Sequence, residues 1–168
     1  MHSDTIDVTD DMLASKGKRF GTFMLDTAVF YILQIAVALI AGILYTVFEY
    51  DGMLLWVTEM SDAGMLVLVL SINMFYFIVM EGVLQRTLGK MVTGTKVVME
   101  DGSKPPAGVI VLRTVCRLIP FEAFSFLGER GRGWHDSITH TYVVDTAKYN
   151  HALNLKNSFS EIGEQLKY

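Results

Sequence analysis

The chain carries one cysteine, Cys116, among 168 residues. A single thiol excludes an intrachain disulfide framework and a cysteine-cluster zinc site. Charge is also scarce, at 19% of residues against 51% hydrophobic, and the scarcity is local. Between Phe20 and Phe48 the only formal charge is Asp26, and between Ala63 and Met80 there is none. Apolar runs of this length read as membrane-spanning helices. They argue against a soluble globular enzyme and against disorder. A net charge of −4 leaves no basic stripe for neutralising phosphates, which argues against a dedicated nucleic-acid binder. Lysine and arginine are missing from the first 15 residues, which hold Asp4, Asp7, Asp10 and Asp11. A secretory signal would start basic and have a shorter apolar core. Residues 1–15 are therefore expected to form an exposed, mobile acidic lead. No internal repeat is visible, and the length suits one domain.

Two spans are expected, at about 20–48 and 65–84. Loop charges orient them. Lys16, Lys18 and Arg19 precede the first, while the connection between the spans holds Glu49, Asp51, Glu59 and Asp62 and no base. Arg86, Lys90, Lys96 and Lys104 follow the second. The positive-inside rule then puts the N-terminus in the cytoplasm, the 49–62 connection outside and residue 85 back inside. Tyr50 and Trp56 are expected to anchor that connection on the membrane surface. Glu81 falls near the end of the second span, within reach of the headgroups.

A third apolar segment, about 107–127, is expected to be a bent helix that enters the cytoplasmic leaflet and returns. It contains Arg113, Arg117 and Glu122, each costing about 2.5–3.5 kcal/mol at a helix centre, and Pro120 interrupts it. A third span would also put Arg130, Arg132 and the C-terminus outside. Residues 95–99 (Thr-Lys-Val-Val-Met) and 139–144 (Thr-His-Thr-Tyr-Val-Val) are rich in β-branched residues and should pair as two short strands on one side of the membrane. The fold class expected is thus an α-helical membrane protein: two transmembrane helices, a kinked re-entrant or interfacial helix, and a small cytoplasmic two-stranded β element. Residues 16–146 form its membrane domain and 147–168 a cytoplasmic tail.

The candidate site is polar residues at membrane depth. Arg19 and Asp26, seven apart, share a helix face but lie about 10 Å apart along the axis, so another group should stand between or beside them. Arg113 and Arg117 share a face at four apart. An ionisable group inside a membrane is a functional-site hypothesis by default, and the expected partner of Asp26 is Arg113 or Arg117. Arg19, Asp26, Arg113, Arg117 and Glu122 make up this intramembrane network. Trp134, His135 and Asp136 make a second, cytoplasmic cluster. There, Asp136 could cap a turn or accept from Arg19 or a helix arginine, and His135 is a candidate for proton relay or sensing. His135 and His140 lack a carboxylate at ligand spacing, so no metal is expected. Gly89-Lys90 does not complete a phosphate loop, because Met91 stands where Ser or Thr is required. No nucleophile-elbow, metalloprotease or dinucleotide motif occurs, and neither enzyme activity nor a cofactor is expected.

The order of motifs resembles the RDD family of small bacterial membrane proteins, named for one Arg and two Asp. The segments that carry the likeness are Arg19 to Asp26, Gln85 to Lys90, Gly94 to Val98, Arg113-Thr114 with Leu118-Ile119-Pro120, and Trp134-His135-Asp136 running into Thr141 to Val144. They cover roughly residues 16–146. The resemblance implies Arg19, Asp26 and Asp136 as the named residues and a multi-pass bacterial inner-membrane location. Many members have a longer apolar stretch before the final His-Asp; its shortness here agrees with a re-entrant helix. The family is associated with transport, and some members are described as sodium/proton antiporters. Two functions stay open. One is an oligomeric ion or small-solute transporter of the cation/proton exchange class. Two spans cannot easily form an alternating-access path, so it requires a homo-oligomer. The other is a non-catalytic scaffold or accessory subunit with a structural Arg/Asp network and a cytoplasmic or membrane protein partner. The lipid bilayer is a partner in both, and nucleic acid in neither.

Overall fold

The computed structural model describes residues 5–120, 122, 125 and 132–165. The fold is mostly helical. Helix α1 spans Lys16–Phe48 and α3 spans Asp62–Leu84. Both are long and apolar enough to cross a membrane, and only 6% of each apolar window is buried. That exposure separates them from the core helices of a soluble protein. Their outer faces carry Ile32, Ile35, Leu39 and Ile43 on α1, and Leu66, Val67 and Phe75 on α3, all exposed. The starts are set locally: Ser15 and Ser61 accept backbone N–H groups of Lys18 and Gly64. The ends close on residues with positive φ, Glu49 at 53° and Gln85 at 58°.

Between the spans the connection folds as α2, Gly52–Thr58, with Tyr50, Leu55 and Trp56 exposed. After α3, Thr87 caps α4, Leu88–Thr93, by accepting the Lys90 N–H. Gly94, at φ 67°, turns the chain into β1, Thr95–Met99. Helix α5 covers Ala107–Cys116, α6 covers Trp134–Ile138, β2 covers Thr141–Asp145 and α7 covers Thr146–Gln165. The two strands pair antiparallel, with Thr95 opposite Asp145 and Met99 opposite Thr141.

Two expectations need correction. The apolar segment at 107–127 is not helical throughout its described part: α5 ends at Cys116, and Arg117 to Pro120 are turns. The break falls ahead of Pro120, since a proline disfavours helical backbone at the residue before it and cannot donate an N–H. Apart from Glu122 and Ser125, the rest of the expected bend lies outside the described residues. The second correction concerns the acidic lead. Its residues from Thr5 onward are not detached from the fold. The Val8 and Ala14 N–H groups bond the carbonyls of Glu100 and Val143 (both 2.9 Å), and Met12 is 4% exposed. The C-terminal tail, for which the sequence suggested no element, forms α7. Tyr149, Ala152 and Leu153 sit at helical spacing and join Met12, Val98 and Val144 in one apolar cluster. The Tyr149 hydroxyl donates to the Gly102 carbonyl at 3.0 Å. Gly102 has φ 76°, and a Cβ there would strike the Ile6 backbone, so this turn requires glycine.

Candidate functional site

Two fully buried carboxylates organise the site: Glu81 in the last turn of α3 and Asp136 in α6. Arg113 of α5, also fully buried, joins them. Its Nε donates to Glu81 (3.3 Å), and its Nη1 donates to Asp136 (2.7 Å) and to the Thr141 hydroxyl of β2. Glu81 also pairs with Lys90 of α4 and with Arg117, whose Nη2 lies 2.8 Å away. The Arg117 guanidinium stands over the Phe77 ring, 4.3 Å from its centroid. Asp136 also accepts from Arg19 of α1, 117 residues away in sequence, and from the Gly133 N–H at 3.3 Å, closing the start of α6. His135 reaches Asp136 through Nε2 at 3.2 Å and Glu122 through Nδ1. One connected set of charges thus ties α1, α3, α4, α5 and α6 together.

Burial is costly for every member and is offset by its partners. Burial alone would raise the pKa of the Asp136 carboxyl, but His135, Arg19 and Arg113 hold it well below the usual carboxylate range. At Glu122, burial is likewise outweighed by His135 and Arg117, and the carboxyl is held low. Lys90 runs the other way: burial pushes its amine down to about 8 despite Glu81.

Asp26 is partnered differently from the expectation. Its donors are the Thr87 hydroxyl (2.6 Å), the Gly89 N–H (2.9 Å) and the Tyr76 hydroxyl (3.5 Å), not Arg113 or Arg117. The cause is close packing of α4 on α1. A Cβ at Gly89 would lie 2.7 Å from both the Asp26 carboxylate and the Thr22 carbonyl, so only glycine lets the N–H approach. Thr22, between Arg19 and Asp26 in sequence, meets Thr93 of α4 hydroxyl to hydroxyl at 2.7 Å.

Of the expected site residues, Arg19, Arg113, Arg117, Glu122, His135 and Asp136 are in one network rather than two clusters. Asp26 lies beside it on the same cavity wall. Trp134 is 48% exposed, and its backbone N–H donates to the Ser125 hydroxyl at 2.9 Å. Glu81 and Lys90 are central here and were not among the expected site residues. The signal for Glu81 was an acid one turn before the end of a helix with no charge from Ala63 to Met80. The signal for the Asp26 partner was Thr87, a good helix cap three residues before Lys90.

A cavity of about 240 Å³ opens against this network. Arg19, Asp26, Lys90, Arg117, Glu122 and His135 supply its polar wall, and Phe23, Phe30 and Phe77 its apolar one.

The apolar helices and the buried charge network together define an integral membrane protein of the small helical kind. The family model for the RDD family matches residues 13–140, and the chain belongs to that family. No curated protein and no solved structure matches the chain.

Proposed function

We propose that this RDD protein is a non-catalytic membrane scaffold or accessory subunit. Its Arg, Asp and Glu network is a clasp that holds the sheet and its helices against the ends of the two spans. The observation that carries the reading is Arg113, fully buried and bonded at once to Glu81 of α3, Asp136 of α6 and Thr141 of β2. A group in use as an ion carrier has to exchange partners during each cycle. Here Glu81 and Asp136 are each held by two or more donors from different elements.

The location in this reading is the bacterial inner membrane. The packing of residues 5–15 and α7 on the same sheet supports both termini being on one side, and the basic flanks support the cytoplasm as that side. The segment from α5 to α6 then enters from the cytoplasmic leaflet and returns to it. Pairing of β1 with β2 supports that return, since a third span would separate them.

The transport reading has one observation in its favour, the cavity beside Asp26 at the cytoplasmic end of the spans. It requires copies of the chain to assemble, because two helices alone do not enclose a path.

The test is a pair of measurements on Asp26→Asn and Arg113→Met in reconstituted vesicles. The clasp reading expects Arg113→Met to lose folded protein, and sodium and proton fluxes to stay at the empty-vesicle level for the wild type and for Asp26→Asn. A flux in the wild type that Asp26→Asn abolishes, with folding intact, would replace the clasp with transport.

A further inference from the structure

Helix α4 does not leave the spans behind but folds back beside them. The Leu88 N–H donates to the Tyr76 hydroxyl of α3 at 2.9 Å, and the Gly89 N–H donates to the Asp26 carboxylate of α1 at 2.9 Å. Tyr76 stands eight residues before the end of α3 at Leu84, which is about 12 Å of helix. A helical side chain leans toward the N-terminus of its own helix, here the end away from Leu84, so the Tyr76 ring does not shorten that depth. The length of α3 sets where the bilayer ends. Its 23 residues make about 35 Å of helix against a hydrocarbon core of about 30 Å. With Asp62 at one boundary, the core reaches the last turn, where Val83 and Leu84 are exposed. The start of α4 then lies about 9–12 Å inside the apolar layer.

The side chains of α4 are arranged inside out for a helix in water. Thr87 and Lys90 are buried, and Thr93 meets Thr22 of α1. Leu88, Met91 and Val92 are exposed, Val92 by 75%. A helix in water turns its apolar residues toward the core and its polar ones outward. The reverse order marks a surface that something apolar covers, and among the described residues nothing covers it. This face continues the lipid-facing surface of the spans. Val83 and Leu84 precede it on α3, and on α1 the exposed Leu25 shares a face with Gly21, which adjoins Thr93.

We infer that α4 is immersed in the bilayer, with Leu88, Met91 and Val92 against the acyl chains of the leaflet at the C-terminal end of α3. Lys104, whose amine donates to the Val83 carbonyl at 3.2 Å, then stands at the headgroup level of that leaflet. The charge rule alone would put everything from residue 85 onward in the cytoplasm. The polar residues of α4 do not resist immersion, because Thr87, Lys90 and Thr93 spend their hydrogen bonds on Asp26, Glu81 and Thr22. The seat of α4 is independent of whether the charge network is a clasp or a carrier.

The test places a spin label at residue 92 (Val92→Cys with Cys116→Ala) in the full chain, reconstituted in phosphatidylcholine and phosphatidylglycerol bilayers. It reads collisions of the label with oxygen, which partitions into the bilayer, and with a water-soluble nickel chelate. Leu39→Cys, on the exposed face of α1, is the lipid reference, and Asn154→Cys, exposed on α7, is the water reference. Oxygen should dominate at residue 92 as at residue 39, and nickel at residue 154. Dominance of nickel at residue 92 would return α4 to water and overturn the inference. Protection from both reagents would mean that a second copy or another protein covers α4, and would overturn the lipid assignment. Val92→Trp keeps Cys116 and gives a second arm should Cys116→Ala lower the unfolding midpoint. In bilayers of lipid brominated on the acyl chain, its fluorescence should be quenched by a larger fraction than that of the wild type. An unchanged fraction would overturn the inference as well.

Discussion

Glu81→Gln is the most informative single change. The amide keeps the shape of the carboxylate and removes only its charge. Glu81 is fully buried and receives Lys90, Arg113 at 3.3 Å and Arg117 at 2.8 Å, so the variant leaves three cations around a neutral group. Breaking a buried pair by removing one partner costs about 3–5 kcal/mol, because the other charge remains buried without compensation. Arg117 is 21% exposed and regains some hydration, and Arg113 keeps Asp136. Lys90, nearly as buried as Glu81, has no comparable relief except losing its proton. The expected loss is therefore about 3–5 kcal/mol. It is read from denaturant unfolding in detergent by tryptophan fluorescence, with Asp145→Asn as the comparison. Asp145 pairs at 2.6 Å with Lys18, which is 41% exposed, and such a pair contributes at most about 1 kcal/mol. Losses of equal size in Glu81→Gln and Asp145→Asn, or a Glu81→Gln loss under about 1 kcal/mol, would refute the reasoning.

Four other outcomes follow from the same geometry. Gly89→Ala places a methyl against Asp26 and Thr22 and should destabilise by about 1–3 kcal/mol, whereas Gly108→Ala, with open space around it, should be neutral or slightly stabilising in the same assay. Acid should unfold the protein in a defined direction. The Asp136 carboxyl titrates well below its ordinary 3.8 when folded, so its contribution is fully present above that value and is lost as pH falls through the folded value; a pH titration of stability checks this, and a loss that starts near neutral pH and persists in Asp136→Asn would contradict it. Hydrogen exchange should find the Val8 and Ala14 amides protected, since both bond carbonyls of the sheet region; exchange at the rate of unstructured chain would return the lead to solvent. A reporter fused after α7 should be active in the cytoplasm, and periplasmic activity would replace the re-entrant segment with a third span.

The elements legible in the sequence were those with a local cause. Both spans follow from nearly charge-free runs, and the strands from β-branched segments at 95–99 and 139–144, where the Asp101-Gly102 turn ends the first and β2 itself covers Thr141–Asp145. Helix α7 was hidden because its apolar residues, Tyr149, Ala152 and Leu153, are diluted by Lys148, Asn150 and His151 on the faces turned outward. The partners of the charged residues were less legible than the residues themselves. Which acid meets Arg113 depends on how α3, α5 and α6 converge, and no sequence spacing encodes the 32 residues between Arg113 and Glu81. Asp26 shows the same limit. A carboxylate in a span suggested an arginine, but the packing of α4 brought a hydroxyl and a backbone N–H instead, through a glycine whose role depends on that contact.

The central claim is that the network clasps the first helix to the last third of the fold, and a double-mutant cycle between Arg19 and Asp136 in lipid nanodiscs tests it most directly. These residues join α1 to α6 across 117 positions of sequence, with Asp136 fully buried. Unfolding free energies of Arg19→Met, Asp136→Asn and the double variant yield the coupling between them. The expected result is an interaction energy within about 0.5–3 kcal/mol, with the double variant less destabilised than the sum of the single ones. Additivity within about 0.3–0.5 kcal/mol would show that the two ends are held by something other than this pair and would contradict the clasp.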